Sequence, residues 1–503
     1  MSDTSVNNKK IAKNTLFLYF RMIVIMAIGL YTVRAILHQL GVVDYGIYNV
    51  VGGVVAMFSF LNGTLATSSQ RYFSIELAKG DMKRLNQWFC LNVTTFSIFI
   101  VVFLIIAETI GLWFVNTQMT IPSERLLAAN VVYQLSIVSF CVNFFSVPYN
   151  ALIIAHERMS AFAYISIVEA LLKLAIVYLL TLISWDKLIV YGFLMFLTSC
   201  GITLSYIIYN HIYFIESKYR PYWNKSEIKE LGGFSGWHFM GTFSVVIRSQ
   251  GINILLNLFF NPAVNAARAV AFQVYHAVSQ LSHNFFTAVK PQIYKSYAAG
   301  DYEPLYKLIL RSSVMCSLLI SILIFPILAN TPYILGLWLK EVPDYAIIFT
   351  QLVLINGLVD ATNGPTIASA LATGKIKKYE IIVATLIFAN LPVSYIVLKF
   401  GADPTATMYV SIILSYVTAL TRAYLLQTMI GLPFRDYLMM FLKLTLSSAL
   451  VGAVIYFTMY NKANNMLSFV IWSIFIAIIV VVTYLLIVIK KQDLTIILKY
   501  IKK

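Results

Sequence analysis

Four nitrogen-bearing side chains recur along one mostly apolar stretch: Arg268, His276, His283 and Lys290. Wound as an α-helix at about 100° per residue, they fall within about 80° of one another. Tyr275 and Ser279 share that face, and Gln273, Gln280 and Asn284 widen it. No acid on the stretch balances the two permanent cations at its ends. A charge at bilayer depth costs at least ~2.5–3.5 kcal/mol, so a helix facing lipid does not tolerate such a stripe. It is read as the lining of a hydrated cationic pathway, with interhelical hydrogen bonding alone as the alternative.

Other charges fall inside apolar runs. The cations are Arg21, Arg34, Lys173, Arg248, Arg268, Arg422 and Lys443; the acids are Glu108, Glu169 and Asp360. Arg21 shares a helix face with Asn14, Thr32 and Gln39, and Arg248 one with Gly241, Ser244 and Gly251. The excess of cations suits an anion, above all phosphate, which guanidinium grips in bidentate fashion. The candidate substrate-binding residues are Arg21, Arg248, Arg268, His276, His283 and Lys290. Asp360, three residues before Asn363-Gly364-Pro365, either carries a proton or cation or pairs with an arginine. Glu169 is a second candidate for ion coupling, although Lys173 stands four residues on, where the two would neutralise each other on one helix face.

Other chemistry is not indicated. The chain has no Walker A loop, HExxH, paired-cysteine metal site or nucleophile elbow. The four cysteines, Cys90, Cys141, Cys200 and Cys316, fall singly in or beside apolar runs and read as buried apolar side chains. No cofactor and no metal site is expected.

The elements that must position these residues follow from composition. Of 503 residues, 60% are hydrophobic and 12% charged, with mean hydropathy +0.80. The apolar runs are too long for barrel strands, and only helices or closed barrels satisfy the backbone inside lipid. The expectation is an all-α polytopic membrane protein of about fourteen spans: 14–38, 47–68, 89–115, 126–153, 160–183, 188–213, 231–259, 264–289, 308–330, 346–371, 378–399, 405–430, 438–460 and 467–489. The polar start MSDTSVNNKK does not resemble a cleavable signal. On this count the termini and even-numbered loops hold 25 of the 37 Lys and Arg residues, the odd loops 5, and the spans the other 7. That bias places both termini in the cytoplasm, and it accounts for the +16 net charge without nucleic acid.

The first two groups of six spans resemble each other. AKGD at 78–81, with Leu85 beyond, matches AAGD at 298–301, with Leu305 beyond. PYNALIIAHER places Pro148 ten residues before Arg158; PTIASALATGK places Pro365 ten before Lys375. At the latter offset of about 217, Asn143 falls opposite Asp360. An even-numbered unit repeats the same way up, giving two similarly inserted lobes. The expected units are 1–213, 214–430 and an appended helix pair with its tail, 431–503.

The segment LGVVDYGIYNVVGGV at 40–54, with KKIAKNTLFLYFRMIV at 9–24, SSQRYFSIELAKGD at 68–81 and VPYNALIIAHER at 147–158, resembles the polysaccharide biosynthesis transporters. These are the O-antigen or Wzx-type flippases of the multidrug/oligosaccharidyl-lipid/polysaccharide (MOP) exporter superfamily. The resemblance implies a MATE-like fold of two six-helix lobes, often with two further helices. It also implies a polyprenyl-pyrophosphate-linked oligosaccharide as substrate, moved from the cytoplasmic to the periplasmic leaflet of the bacterial inner membrane. Proton or sodium coupling and contacts with membrane lipids would accompany it. The alternatives are a cation-coupled drug or metabolite exporter of the same superfamily and, in another class, a membrane glycan polymerase or ligase. The short outer loops count against the last.

Overall fold

The computed structural model describes residues 2–56, 58, 60–117, 121–260, 262–339, 342–460 and 462–488. All regular structure among them is helical. The helices are α1 (Ser2–Ala56), α2 (Phe60–Lys79), α3 (Met82–Ile106), α4 (Leu112–Thr117), α5 (Leu126–Phe145), α6 (Val147–Ala155), α7 (Met159–Leu182), α8 (Lys187–Tyr213), α9 (Lys225–Phe259), α10 (Pro262–Ala298), α11 (Tyr302–Ala329), α12 (Thr331–Trp338), α13 (Ala346–Asp360), α14 (Asn363–Thr373), α15 (Lys377–Phe388), α16 (Asn390–Lys399), α17 (Ala406–Ile430), α18 (Phe434–Thr458) and α19 (Met466–Ile487). Two compact units divide the chain, Met1–Phe239 and Met240–Lys503. The side chain of Arg34 and the lysines beyond residue 488 lie outside the described set.

Among the described residues, 11 helices are long and apolar enough to cross a membrane, or 12 with the bent α13–α14 pair taken as one span. The expected fourteen are not all recovered on this measure. The stretch 47–68 includes positions outside the described set. The stretch 264–289 lies in α10, which is long enough but carries Arg268, His276 and His283, so the polar stripe itself removes it from the count. The chain is a multi-pass membrane protein. On α19 the side chains of Leu467, Ile471, Ile474, Ile478, Val482 and Leu486 are all exposed, a surface that water would not tolerate and lipid covers.

The internal repeat is visible in backbone angles. Gly80 and Gly300 both take the left-handed conformation, at φ 72° and 70°. The next residues, Asp81 and Asp301, are N-caps with nearly identical angles, φ −87°, ψ 83° and φ −93°, ψ 83°. Only glycine adopts such a φ without steric cost, which is why the turn reads Gly-Asp twice. Further on, α5 breaks into α6 before Pro148, and α13 into α14 before Pro365, the latter pair bent by 43°. Each proline ring opposes the carbonyl four residues earlier and lacks an N–H, so the helix cannot continue straight. At the ends of these broken helices, Glu157 and Gly374 take positive φ, 59° and 72°. These two positions lie about 217 apart, the offset of the prolines.

Small residues set the helix spacing where polar groups are carried. Tyr133 on α5 donates to the Ala107 carbonyl at 2.7 Å, inside the π-helical turn Ala107–Gly111 that links α3 to α4. A Cβ at Gly111 would lie 2.0 Å from that hydroxyl, so only glycine admits it. In the second unit Gly357 on α13 accepts the ring of Tyr275 from α10 in the same way, at 2.4 Å from an added Cβ. The terminal helix α19 is tied to α11 by Tyr484, whose hydroxyl meets Ser317 and Ser321 at 2.8 and 2.9 Å.

One end of the first unit is closed by a charged clamp. Arg125 binds Asp44 through Nε (2.9 Å) and Nη2 (2.6 Å), and Asp186 through Nη1 (2.6 Å) and Nη2 (3.2 Å). Three connections are thereby joined: the bend of α1 at Gly41, the approach to α5 and the start of α8. Asp186 also caps α8 by accepting from the Leu188 and Ile189 amides. Hydrogen bonding to Arg125 holds the Asp186 carboxyl below its ordinary range. A lowered folded value means that this stabilisation is full above the unfolded carboxylate value, near ~4, and is lost as pH falls through the folded one. Arg125→Gln is expected to cost about 1–2 kcal/mol at neutral pH, given partial exposure of all three side chains. Thermal unfolding in detergent should show the gap between wild type and variant closing below about pH 4.

Candidate functional site

Asp360 ends α13, and the break after it opens the helix where that carboxylate sits. Its Oδ2 accepts from Asn356 at 2.8 Å and its Oδ1 from Asn363 at 3.3 Å, with the Ser415 hydroxyl also in reach. A cavity of about 230 Å³ lies here, inside the second unit. Its polar lining comes from four places: Arg248 on α9, Asp360 and Asn363 at the break, Asn390 opening α16, and Ser415, Thr418 and Arg422 on α17. Arg248 and Arg422 are the charges that act on Asp360. Among the described residues neither closes an ion pair with it. The lining therefore holds two guanidinium groups and one carboxylate, with a formal balance of +1.

Arg422 is 8% exposed, and its Nη1 donates to the Tyr379 hydroxyl at 2.5 Å. Its Nε is buried with no acceptor. A guanidinium donates in a planar fork, and leaving one arm unused in a buried site costs about 1–3 kcal/mol. An oxygen-rich anion in the cavity would answer the excess of positive charge in its lining.

Of the candidates named from sequence, Arg248 and Asp360 line this cavity together. Arg268 does not. It is 5% exposed, stacks over Phe272 at 4.4 Å and donates to Asn253 on α9, within the packing of α9 against α10. His276 and His283 are exposed and Lys290 is partly buried above Tyr294. The single helix face inferred from periodicity thus spans three environments, with Arg268 the buried one. Arg21 lies in the first unit, over the Phe162 ring at 4.4 Å, with Tyr206 and Glu169 acting on it. Glu169 is in an ion pair with Lys173 at 2.6 Å.

The residue that sequence reasoning passed over is Arg422. It is visible as an intramembrane cation, and Thr407, Ser411, Ser415 and Thr418 lie on its face of α17 and mark which way it points. The repeat supplies a second signal. In the first unit Asn143 on α5 donates to Ser199 on α8 at 3.2 Å. In the second, Asp360 on α13 meets Ser415 on α17. The two pairs are related by offsets of 217 and 216, and the α8-to-α17 offset of 216 sets Arg422 opposite Tyr206. The same helix contact is neutral in one copy and charged in the other.

No protein-family model matches the chain, and no curated protein matches it. Solved structures do. An outward-facing multidrug resistance MATE family transporter of the MOP superfamily superposes with a TM-score of 0.70 at 12% identity. A MATE protein in a straight conformation gives 0.70 at 13%. A MOP superfamily transporter from Pyrococcus furiosus, described as having a binding pocket of reverse polarity that suggests a different function, gives 0.66 at 12%. Each alignment covers 84% of this chain and 96% of the other. The chain has the MATE-type fold.

The cavity's charges should depend on one another for stability. Arg422→Met removes a cation from beside a buried carboxylate and is expected to destabilise by about 2–3 kcal/mol. Asp360→Asn added to it should restore part of that loss. Thermal unfolding of the two single variants and the double variant measures the coupling; strictly additive shifts would deny it.

Proposed function

We propose that this chain, with its MATE-type fold, is a transporter that moves a polyprenyl-pyrophosphate-linked oligosaccharide between leaflets by alternating access. The observation that carries the reading is the polarity of the second-unit cavity: Arg248 and Arg422 against the single acid Asp360. Guanidinium pairs suit phosphate oxygens, whereas an exporter of organic cations needs acids in excess. The Pyrococcus furiosus transporter, with its pocket of reverse polarity, is a member of the superfamily in which pocket charge departs from that of its relatives. Arg21, Arg268, His276, His283 and Lys290 are further candidate contacts along the path.

The Lys and Arg bias sets the orientation, with both termini on the cytoplasmic side of a bacterial inner membrane. Movement is then outward. An inside-negative potential favours outward transfer of an anion by about 2.3 kcal/mol per charge per 100 mV. Asp360 is the candidate for binding a coupling proton or sodium ion, and Glu169, being paired with Lys173, is the weaker one.

A second reading has its own observation. Asp360 is a carboxylate in a membrane cavity, and a cation-coupled drug or metabolite exporter of the same fold would use one. The two readings separate in cells. With the gene deleted, lipid-linked sugar is expected to accumulate in the inner leaflet. Arg248→Gln at normal expression should reproduce most of that accumulation, reducing transport at least about tenfold. Drug resistance on overexpression, with surface glycans unchanged by deletion, would select the exporter instead.

A further inference from the structure

We infer that Asp360 is a built-in stand-in for the substrate's anionic group: it balances Arg248 and Arg422 while the cavity is empty and is displaced electrostatically when an oxyanion binds between them. The inference rests on the anion reading of the cavity and adds what Asp360 does there.

Three features of the cavity support it. Its volume of about 230 Å³ is many times the roughly 10–15 Å³ that one water needs, so a phosphate-sized oxyanion with hydration fits. Arg248 and Arg422 both line the cavity, and both act on Asp360. Asp360, the one acid in the lining, accepts hydrogen bonds from neutral amides, Asn356 and Asn363. It is held near the guanidinium groups and acts through space, which leaves their donors available. A carboxylate locked to an arginine by two short bonds, as Asp44 is to Arg125, would have to be broken away first.

An anion arriving between Arg248 and Arg422 brings negative charge next to Asp360, so the two compete for one positive field. Uptake of a proton by Asp360 relieves the competition. Anion and proton then favour each other, by the reciprocity of linked binding. The groups that face Asp360 are Arg248 from α9, Tyr275 from α10 and Arg422 from α17. Behind Arg422 stand Tyr379 and Glu380 from α15 and Tyr437 from α18. The stand-in role has a transport consequence. A carrier with two unbalanced guanidinium groups would stall when empty, whereas one with its own counter-charge can return.

The sign of a single substitution tests this. Sulfate is the probe, because it mimics phosphate and does not titrate near neutrality. Binding to the purified full-length protein in nanodiscs is measured calorimetrically at pH 6 and pH 8. Wild type is expected to bind more tightly at pH 6, by up to about tenfold per pH unit for one linked proton. Asp360→Asn should bind at pH 8 at least about fivefold more tightly than wild type and lose the pH dependence. Arg248→Gln and Arg422→Lys should each weaken binding severalfold, the lysine keeping charge but losing the fork. Equal or weaker binding by Asp360→Asn, an undiminished pH dependence, or no sulfate binding by wild type overturns the inference. Failure of lipid-linked sugar movement with these sulfate results intact would instead overturn the substrate assignment and leave the stand-in role standing.

Discussion

A guanidinium group in a membrane must be answered by something, and the second unit is built around that demand. Arg422 is buried beside the broken α13–α14 helix, and Arg248 reaches the same space from α9. The break presents a carboxylate to both. Without the break, Asp360 would be another residue in a continuous helix, its orientation set by the turn before it. With it, Asn356 and Asn363 bracket the carboxylate from either side. Pro365 enforces the break, so backbone chemistry and charge placement are one problem with one solution.

The two units share the backbone frame on which this site is built. Both halves contain the Gly-Asp turn, the proline-broken helix and a left-handed residue at its end. Both place a polar pair where the broken helix meets a later helix of the same unit, Asn143 with Ser199 and Asp360 with Ser415. The geometry is shared and the charge is not. In the first unit, charge is spent instead on the Arg125 clamp to Asp44 and Asp186. Asp44 lies within the segment LGVVDYGIYNVVGGV, so its structural partner gives that segment's acid a physical role.

Much of this was legible in the chain. The long apolar runs declared a helical membrane protein, and the spacing of Pro148 and Pro365 declared the repeat. Arg248 and Asp360 stood out because charges in lipid are expensive. Other features depended on contacts that periodicity does not record. The stripe on α10 reads as one face, yet Arg268 is buried and His276 is exposed. Phe272, four residues on along α10, is the neighbour a helical wheel gives Arg268; Asn253 on α9 is the partner that it does not give. Arg422 shares a polar face of α17 with Ser411, Ser415 and Thr418, which the chain shows, but its approach to Asp360 depends on the break between α13 and α14, which helical spacing does not record. The same polarity that singled out α10 also keeps it from being counted as a span.

The role proposed for the positively biased cavity is to carry an anionic lipid-linked sugar across the bilayer. Purified protein reconstituted into vesicles with a fluorescent polyprenyl-pyrophosphate-linked sugar tests it most directly, read by the accessibility of the sugar to an external quencher. Wild-type protein should expose lipid from the inner leaflet to the quencher over time, and Arg248→Gln should leave it hidden. Identical traces from wild-type vesicles and protein-free vesicles, with an organic cation transported by the same preparation, would contradict the account.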